Sequence, residues 1–156
     1  MSNKIDALIE KEVKAIFKID TFTKQAIPIS NEINESLPIK ITETNFFKII
    51  SEDALQGFYY LGHAYGKADY FDFIVIFDKN LVVSKVKILV YREDHGGEVG
   101  STRWLKQFIG KITTDNLIYQ KDIAAISGAT ISAKSMTNEV NKLFRTIAIL
   151  NTKKQL

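Results

Sequence analysis

The chain has 156 residues, 46% of them hydrophobic and 25% charged, and a net charge of +3 from 21 Lys and Arg against 18 Asp and Glu. This is the size and composition of one globular domain rather than a disordered or membrane-spanning chain. No run of basic residues concentrates the small surplus, which argues against a nucleic-acid partner. Cysteine is absent, excluding disulfides, thiolate metal centres, iron–sulfur clusters held by this chain and a cysteine-linked flavin.

The first segment predicts an amphipathic helix, because Ile5, Leu8, Ile9, Val13, Ile16 and Phe17 recur at helical spacing with charged residues between them. These N-terminal residues are charged and hold no apolar core of a signal peptide. No apolar run reaches the roughly 20 residues that span a bilayer. The expectation is a cytoplasmic protein, or one whose targeting segment lies outside this sequence. From Asp20 to about Ser36 the pattern breaks up, and Pro28 and Pro38 mark extended or loop chain. The Phe- and Ile-rich stretch from Thr44 to Ala54 reads as a short helix before Gly57.

Three strands follow, Phe58–Tyr65, Tyr70–Phe77 and Leu81–Tyr91, each rich in aromatic and β-branched residues. The separators Gly66–Asp69 and Asp78–Asn80 are too short for anything but antiparallel hairpins, with Asn80 supplying a left-handed turn residue. Lys85 and Lys87 alternate with Val86, Ile88 and Val90, predicting one wet and one buried face. Arg92–Gly100 is then a loop, and Ser101 caps a short helix that buries Trp104, Leu105 and Phe108 and stops at Gly110. A last helix from about Ser132 presents Met136, Val140, Leu143, Phe144 and Ile147 on one face. The fold class is α+β, a central antiparallel meander flanked by N- and C-terminal helices. Its parts are an N-terminal helix and extended segment (1–56), a main domain (57–150) and a polar tail (151–156).

Three features bear on chemistry. Ser127-Gly128-Ala129-Thr130 is small, hydroxyl-rich and set before a helix. It suits either an ordinary helix cap or a phosphate held at a helix N-terminus. In Glu93-Asp94-His95-Gly96-Gly97-Glu98 the paired glycines leave a strand end open to a ligand. A polar turn explains the same residues, and nothing there has metal-ligand spacing. The aromatic residues Tyr59, Tyr60, Tyr65, Tyr70, Phe71, Phe73 and Phe77 could stack on a flat ligand or simply fill a core. No Gly-x-Gly-x-x-Gly follows a strand and opens a helix, so a nicotinamide-using reductase is disfavoured.

Taken in order, Tyr91-Arg-Glu-Asp-His-Gly-Gly-Glu98, Trp104-Leu-Lys-Gln-Phe-Ile-Gly-Lys111 and Ser127-Gly-Ala-Thr-Ile-Ser132 resemble the FMN-binding domain family. That domain occurs in the flavoprotein subunits of Rnf-type and sodium-pumping NADH–quinone oxidoreductases, and in stand-alone relatives. The resemblance covers roughly Gly57 to Leu150. It implies FMN held by Ser127, Gly128, Ala129, Thr130 and Ser132, with Gly96, Gly97 and Glu93 bordering it. It also implies attachment of the FMN phosphate to Thr130 by a separate flavin transferase. The role implied is electron transfer between membrane-associated donor and acceptor proteins, a redox carrier rather than a stand-alone enzyme, at a periplasmic or membrane-associated location. The alternative is a non-covalent FMN-binding or sensory module. Two positions depart from the family pattern. Ala124 stands where an acidic residue usually precedes the modified threonine, and Glu98 stands where the oxidoreductase subunits usually have glycine, which points to a stand-alone branch.

Overall fold

A computed structural model describes residues 3–156. Helix α1 (Asn3–Phe17) precedes five strands, β1 (Thr23–Ala26), β2 (Phe46–Ser51), β3 (Ala54–Tyr65), β4 (Tyr70–Asp78) and β5 (Val83–Val90), with a short α2 (Asn31–Glu35) between β1 and β2. After β5 come a 3₁₀ turn (Gly97–Gly100), α3 (Thr102–Leu105), a second 3₁₀ turn (Lys106–Phe108) and the long α4 (Thr130–Thr152). The strands form one antiparallel sheet in sequence order, β1-β2-β3-β4-β5.

The α+β meander flanked by terminal helices is what the periodicity implies, and α1 lies where the N-terminal pattern puts it. The stretch 44–54 is different: it holds strand β2 rather than a helix. Ser51 pairs with Ala54, so Glu52 and Asp53 form a two-residue hairpin turn with φ of 51° and 62°. That turn geometry normally selects Asn or Gly, and two acidic residues hide it. The broken-up segment after α1 contains the edge strand β1 and the helix α2, whose N-cap Ser30 accepts a hydrogen bond from the Ile33 amide at 3.2 Å. At the β4–β5 turn the left-handed residue is Leu81 (φ 63°), not Asn80. The Asp78 carboxylate organises that turn by accepting from the amides of Asn80 and Val82 at 2.8 and 3.0 Å.

Both faces of the sheet are covered, which accounts for the nearly continuous apolar run of β4. Alternate residues point to opposite faces. Phe71, Phe73, Val75 and Phe77 join Phe58, Tyr60 and the α4 residues Met136, Val140, Leu143, Phe144 and Ile147 in the main core. Ile74 and Ile76 pack with Tyr59, Phe47 and Ile49 under Ile9 and Val13 of α1. The main core also draws in Leu156, beyond the end of α4.

The lysine-bearing face of β5 is not left to water. Glu12, buried on α1, sits 2.5 Å from the Lys85 ammonium and 3.2 Å from that of Lys87. Burial pushes the Glu12 carboxyl up, but the two ammonium groups outweigh it and hold the pKa below the ordinary 4.5. A carboxyl depressed on folding contributes stability in full above its unfolded pKa and loses it as pH falls through the folded value. Glu12→Gln is therefore expected to destabilise the protein by roughly 1–3 kcal/mol at neutral pH. Urea unfolding should show that deficit shrinking as pH falls below about 4.5, where the unfolded carboxyl protonates, and vanishing at lower pH once the native carboxyl protonates as well.

Candidate functional site

The chain leaving β5 turns back on itself at residues 91–98. Tyr91 donates a hydrogen bond from its hydroxyl to the His95 carbonyl at 2.5 Å, closing the loop. Arg92 lies over the Tyr70 ring, 4.0 Å from its centroid, and pairs with Asp72 at 2.8 Å. These contacts hold the loop against the β3–β4 end of the sheet. Gly96 is left-handed, with φ of 80°. A Cβ on it would stand 2.6 Å from the Tyr91 hydroxyl, 3.5 Å from Ser132 Oγ and 3.8 Å from the Gly128 carbonyl. The backbone angle favours glycine, and any larger residue would also push the Tyr91 hydroxyl off its place.

The Ser127–Thr130 segment meets this loop from the other side. Gly128 also has a left-handed φ, 84°, and a Cβ there would stand 3.1 Å from Glu98 Oε1. Two segments some 30 residues apart in sequence thus meet backbone to backbone, Gly96 against Gly128. Helix α4 begins at Thr130 rather than at about Ser132. Its N-cap is Ala129, with φ of −140°, and no side chain caps it. The first helical hydrogen bond is donated by the Ala133 amide to the Ala129 carbonyl at 2.9 Å. The amides of Thr130, Ile131 and Ser132 precede that bond, at the positive end of a 23-residue helix. Neither Ser127 nor Thr130 acts as the cap, so the ordinary explanation of these hydroxyls does not hold.

Ser127, Gly128 and Thr130 are exposed, and Ala129 is buried. Ser132 is only 3% exposed, yet its hydroxyl has no hydrogen-bond partner among the described residues, and it faces Gly96. Although the residue is buried, that oxygen is not shut off from solvent, and it is free to bond a ligand. Uncapped amides, an exposed threonine hydroxyl and an unpartnered serine together fit a phosphate monoester or diester at this helix end. Beside it opens a groove of about 730 Å³, lined by Tyr65 and Gly66 on one side and Ile131, Lys134 and Ser135 on the other. Ser135 Oγ accepts from the Tyr65 amide at 2.9 Å and ties the groove's two walls together.

Of the residues singled out in the sequence, Gly96, Gly128, Ala129, Thr130 and Ser132 come together. Gly97 opens the 3₁₀ turn that carries Glu98 to Gly128. Glu93 stands apart: its Oε1 accepts from the Ala68 amide at 2.8 Å and its Oε2 is buried against Gly66, at the β3–β4 turn. Tyr65 and Tyr70 are exposed, while the other strand aromatics fill the two cores. Sequence reasoning missed a clamp on Ala124. Trp104 Nε1 donates to its carbonyl at 2.8 Å, and its amide donates to Gln107 Oε1 at 2.7 Å. Gln107 Nε2 in turn donates to the Trp104 carbonyl at 2.9 Å. The approach to the Ser127–Thr130 segment is therefore fixed to α3, with no local signal to reveal it. Among the described residues no cluster of His, Asp and Glu could hold a metal ion, and no helix is long and apolar enough to cross a membrane.

Comparison with known proteins agrees with this geometry. The crystal structure of Shewanella oneidensis NqrC superposes with a TM-score of 0.57 at 19% identity, covering 85% of this chain and 69% of that one. That likeness shows a shared fold. No curated protein matches the chain. The FMN-binding domain family matches residues 66–145, just over half of the sequence and the part that contains the Gly96 loop, the Trp104 clamp and the start of α4. With FMN binding thereby supported as its role, the chain belongs to the FMN-binding domain family.

Proposed function

We propose that this protein is an electron carrier whose FMN is joined through its phosphate to the Thr130 hydroxyl. The observation that carries the reading is the start of α4: an exposed threonine hydroxyl at an uncapped helix N-terminus, pressed against two left-handed glycines. Bound FMN supplies the one- and two-electron redox chemistry of its ring. The chain's own residues supply the rest. Thr130 Oγ gives up its proton and attacks the FMN phosphorus of a flavin dinucleotide; the pyrophosphate P–O bond breaks, the nucleoside monophosphate leaves with that electron pair and the proton, and the protein gains one FMN less one water. The α4 amides and helix dipole stabilise the remaining negative charge, and the Ser132 hydroxyl can donate to a phosphate oxygen. Gly96 and Gly128 let the backbone approach the ligand closely. The groove beyond Ile131 offers room for the rest of the molecule, and Lys134 on its wall favours an anionic ligand.

A flavin transferase is the partner that makes the bond, and membrane-associated redox proteins are the donor and acceptor. Purified after co-expression with a flavin transferase, the protein should show a flavin absorbance band and retain flavin fluorescence through denaturing electrophoresis. A colourless product would contradict the proposal.

A second reading, reversible FMN binding, draws on one observation: Ala124 carries no carboxylate. Reversible binding predicts flavin that dialyses away. The Ala124 side chain is exposed while its backbone is held at both ends, so Ala124→Asp should change stability by less than about 0.5 kcal/mol. We expect it to raise the fraction of chains that carry covalent flavin, read by mass spectrometry under limiting transferase. No gain would show that recognition does not run through position 124.

A further inference from the structure

The sheet face under α1, opposite to the one that carries α4, holds the larger opening, a cavity of about 1040 Å³. Its volume is at the upper end of the roughly 300–1,000 Å³ typical of small-molecule sites. It lies where the first turns of α1 diverge from the strands, between Asp6 and Ile9 on the helix and Phe47, Tyr59 and Leu61 on the sheet. The Phe47 and Tyr59 rings stack, with centroids 5.0 Å apart and planes at 28°. Leu61 and Leu89, both partly exposed, extend this apolar floor.

The charged groups around it are mostly acidic. Tyr59 is 2% exposed, lines the cavity and has no hydrogen-bond partner for its hydroxyl among the described residues. Burial, and after it the charge of Asp6, pushes the phenol's pKa up, so the hydroxyl stays protonated and keeps both donor and acceptor capacity. Glu10 pairs with Lys14 at 2.6 Å, but Asp6 and Glu43 carry no ion pair among the described residues. The one lysine lining the cavity, Lys24, places its ammonium 4.9 Å from the Phe47 ring centroid. The aromatic floor therefore already attracts one cation.

We propose that this cavity is a second small-molecule site, which takes a flat apolar molecule bearing a protonated amine. The flat body lies on the apolar floor, and the ammonium meets Asp6, Glu43 and the Tyr59 hydroxyl oxygen. An acid of the same shape is disfavoured, because the two unpaired carboxylates there, Asp6 and Glu43, outweigh the single unpaired ammonium of Lys24, which is already held over the Phe47 ring. The site is independent of Thr130, being on the opposite face of the sheet.

The test uses the full chain with methyl-labelled leucine, titrated at neutral pH with naphthylmethylamine and, separately, with naphthoate. The amine is expected to shift the Leu61 and Leu89 methyl signals saturably, and the acid to bind about tenfold or more weakly. Replacing Asp6→Asn and Glu43→Gln together should lower affinity for the amine by about tenfold and close most of the gap between the two probes. Leu61→Trp should fill the cavity and abolish binding, whereas Thr130→Ala should leave it unchanged. The proposal is overturned if the amine gives no saturable shift, if naphthoate binds as tightly, or if the Asp6 and Glu43 replacements leave amine affinity unaltered.

Discussion

Thr130→Ala is expected to eliminate covalent flavin completely while leaving the fold intact. The side chain is exposed and caps nothing, so its loss should change stability by no more than about 0.5 kcal/mol. Alanine is also a better helix former than threonine at the start of α4. The variant should therefore fold, melt like the parent and emerge without flavin fluorescence on a denaturing gel. Thr130→Ser offers the matching control: it keeps a hydroxyl at the same place and should retain attachment to the extent that the transferase accepts serine. The single tryptophan gives an independent readout. Trp104 is hydrogen-bonded to the segment that leads into Thr130, so flavin held there should quench its emission in the parent and not in Thr130→Ala. Covalent flavin persisting in Thr130→Ala would place the attachment elsewhere.

Trp104→Ala should have the largest effect on stability, a loss of about 3–5 kcal/mol. The indole is buried and packs edge-on against Phe108, with centroids 5.4 Å apart. Its removal leaves a cavity, and it also leaves the Ala124 carbonyl without its donor. For a chain of this length the melting temperature should fall by about 10 °C or more. Circular dichroism is the suitable probe, since the only tryptophan is gone. Trp104→Phe separates the two contributions: it keeps most of the packing and should cost only about 1–3 kcal/mol for the unpaired carbonyl. Both variants remove one of the two hydrogen bonds that hold Ala124, leaving the one to Gln107, and flavin loading should fall further than stability alone accounts for. Normal loading in a folded Trp104→Phe protein would show that the clamp serves the fold only.

Much of the fold is legible because its strands and helices follow their own periods. Apolar spacing gives α1 and α4, aromatic and β-branched runs give β3, β4 and β5, and Ser101 marks α3, where its Oγ accepts from the Trp104 amide at 3.2 Å. What stays hidden depends on tertiary context. β2 is disguised because its hairpin turn is built from Glu52 and Asp53 rather than Asn or Gly. β1 is short and mostly exposed, and among the described residues its only hydrogen-bonded neighbour in the sheet is β2, so it reads as loop. The Lys85 and Lys87 face looks solvated until Glu12 on a distant helix is brought onto it.

At the site, the residue types of Ser127–Thr130 are visible in the sequence, but whether they cap α4 is not. Only the structure shows Ala129 at the cap and the hydroxyls left over. The apposition of Gly96 with Gly128, the unpartnered Ser132 hydroxyl and the Ala124 clamp each join residues from separate segments. No local pattern encodes them. Glu93 illustrates the converse: it sits within the motif in sequence, yet its carboxylate binds the β3–β4 turn.

The central claim, FMN joined to Thr130 through its phosphate, is tested most directly by the intact mass of the protein co-expressed with a flavin transferase, followed by peptide mapping. A gain of one FMN less one water, located on the peptide containing Thr130 and absent from Thr130→Ala, is the predicted result. An unchanged mass in a transferase system that modifies a control flavoprotein would contradict it.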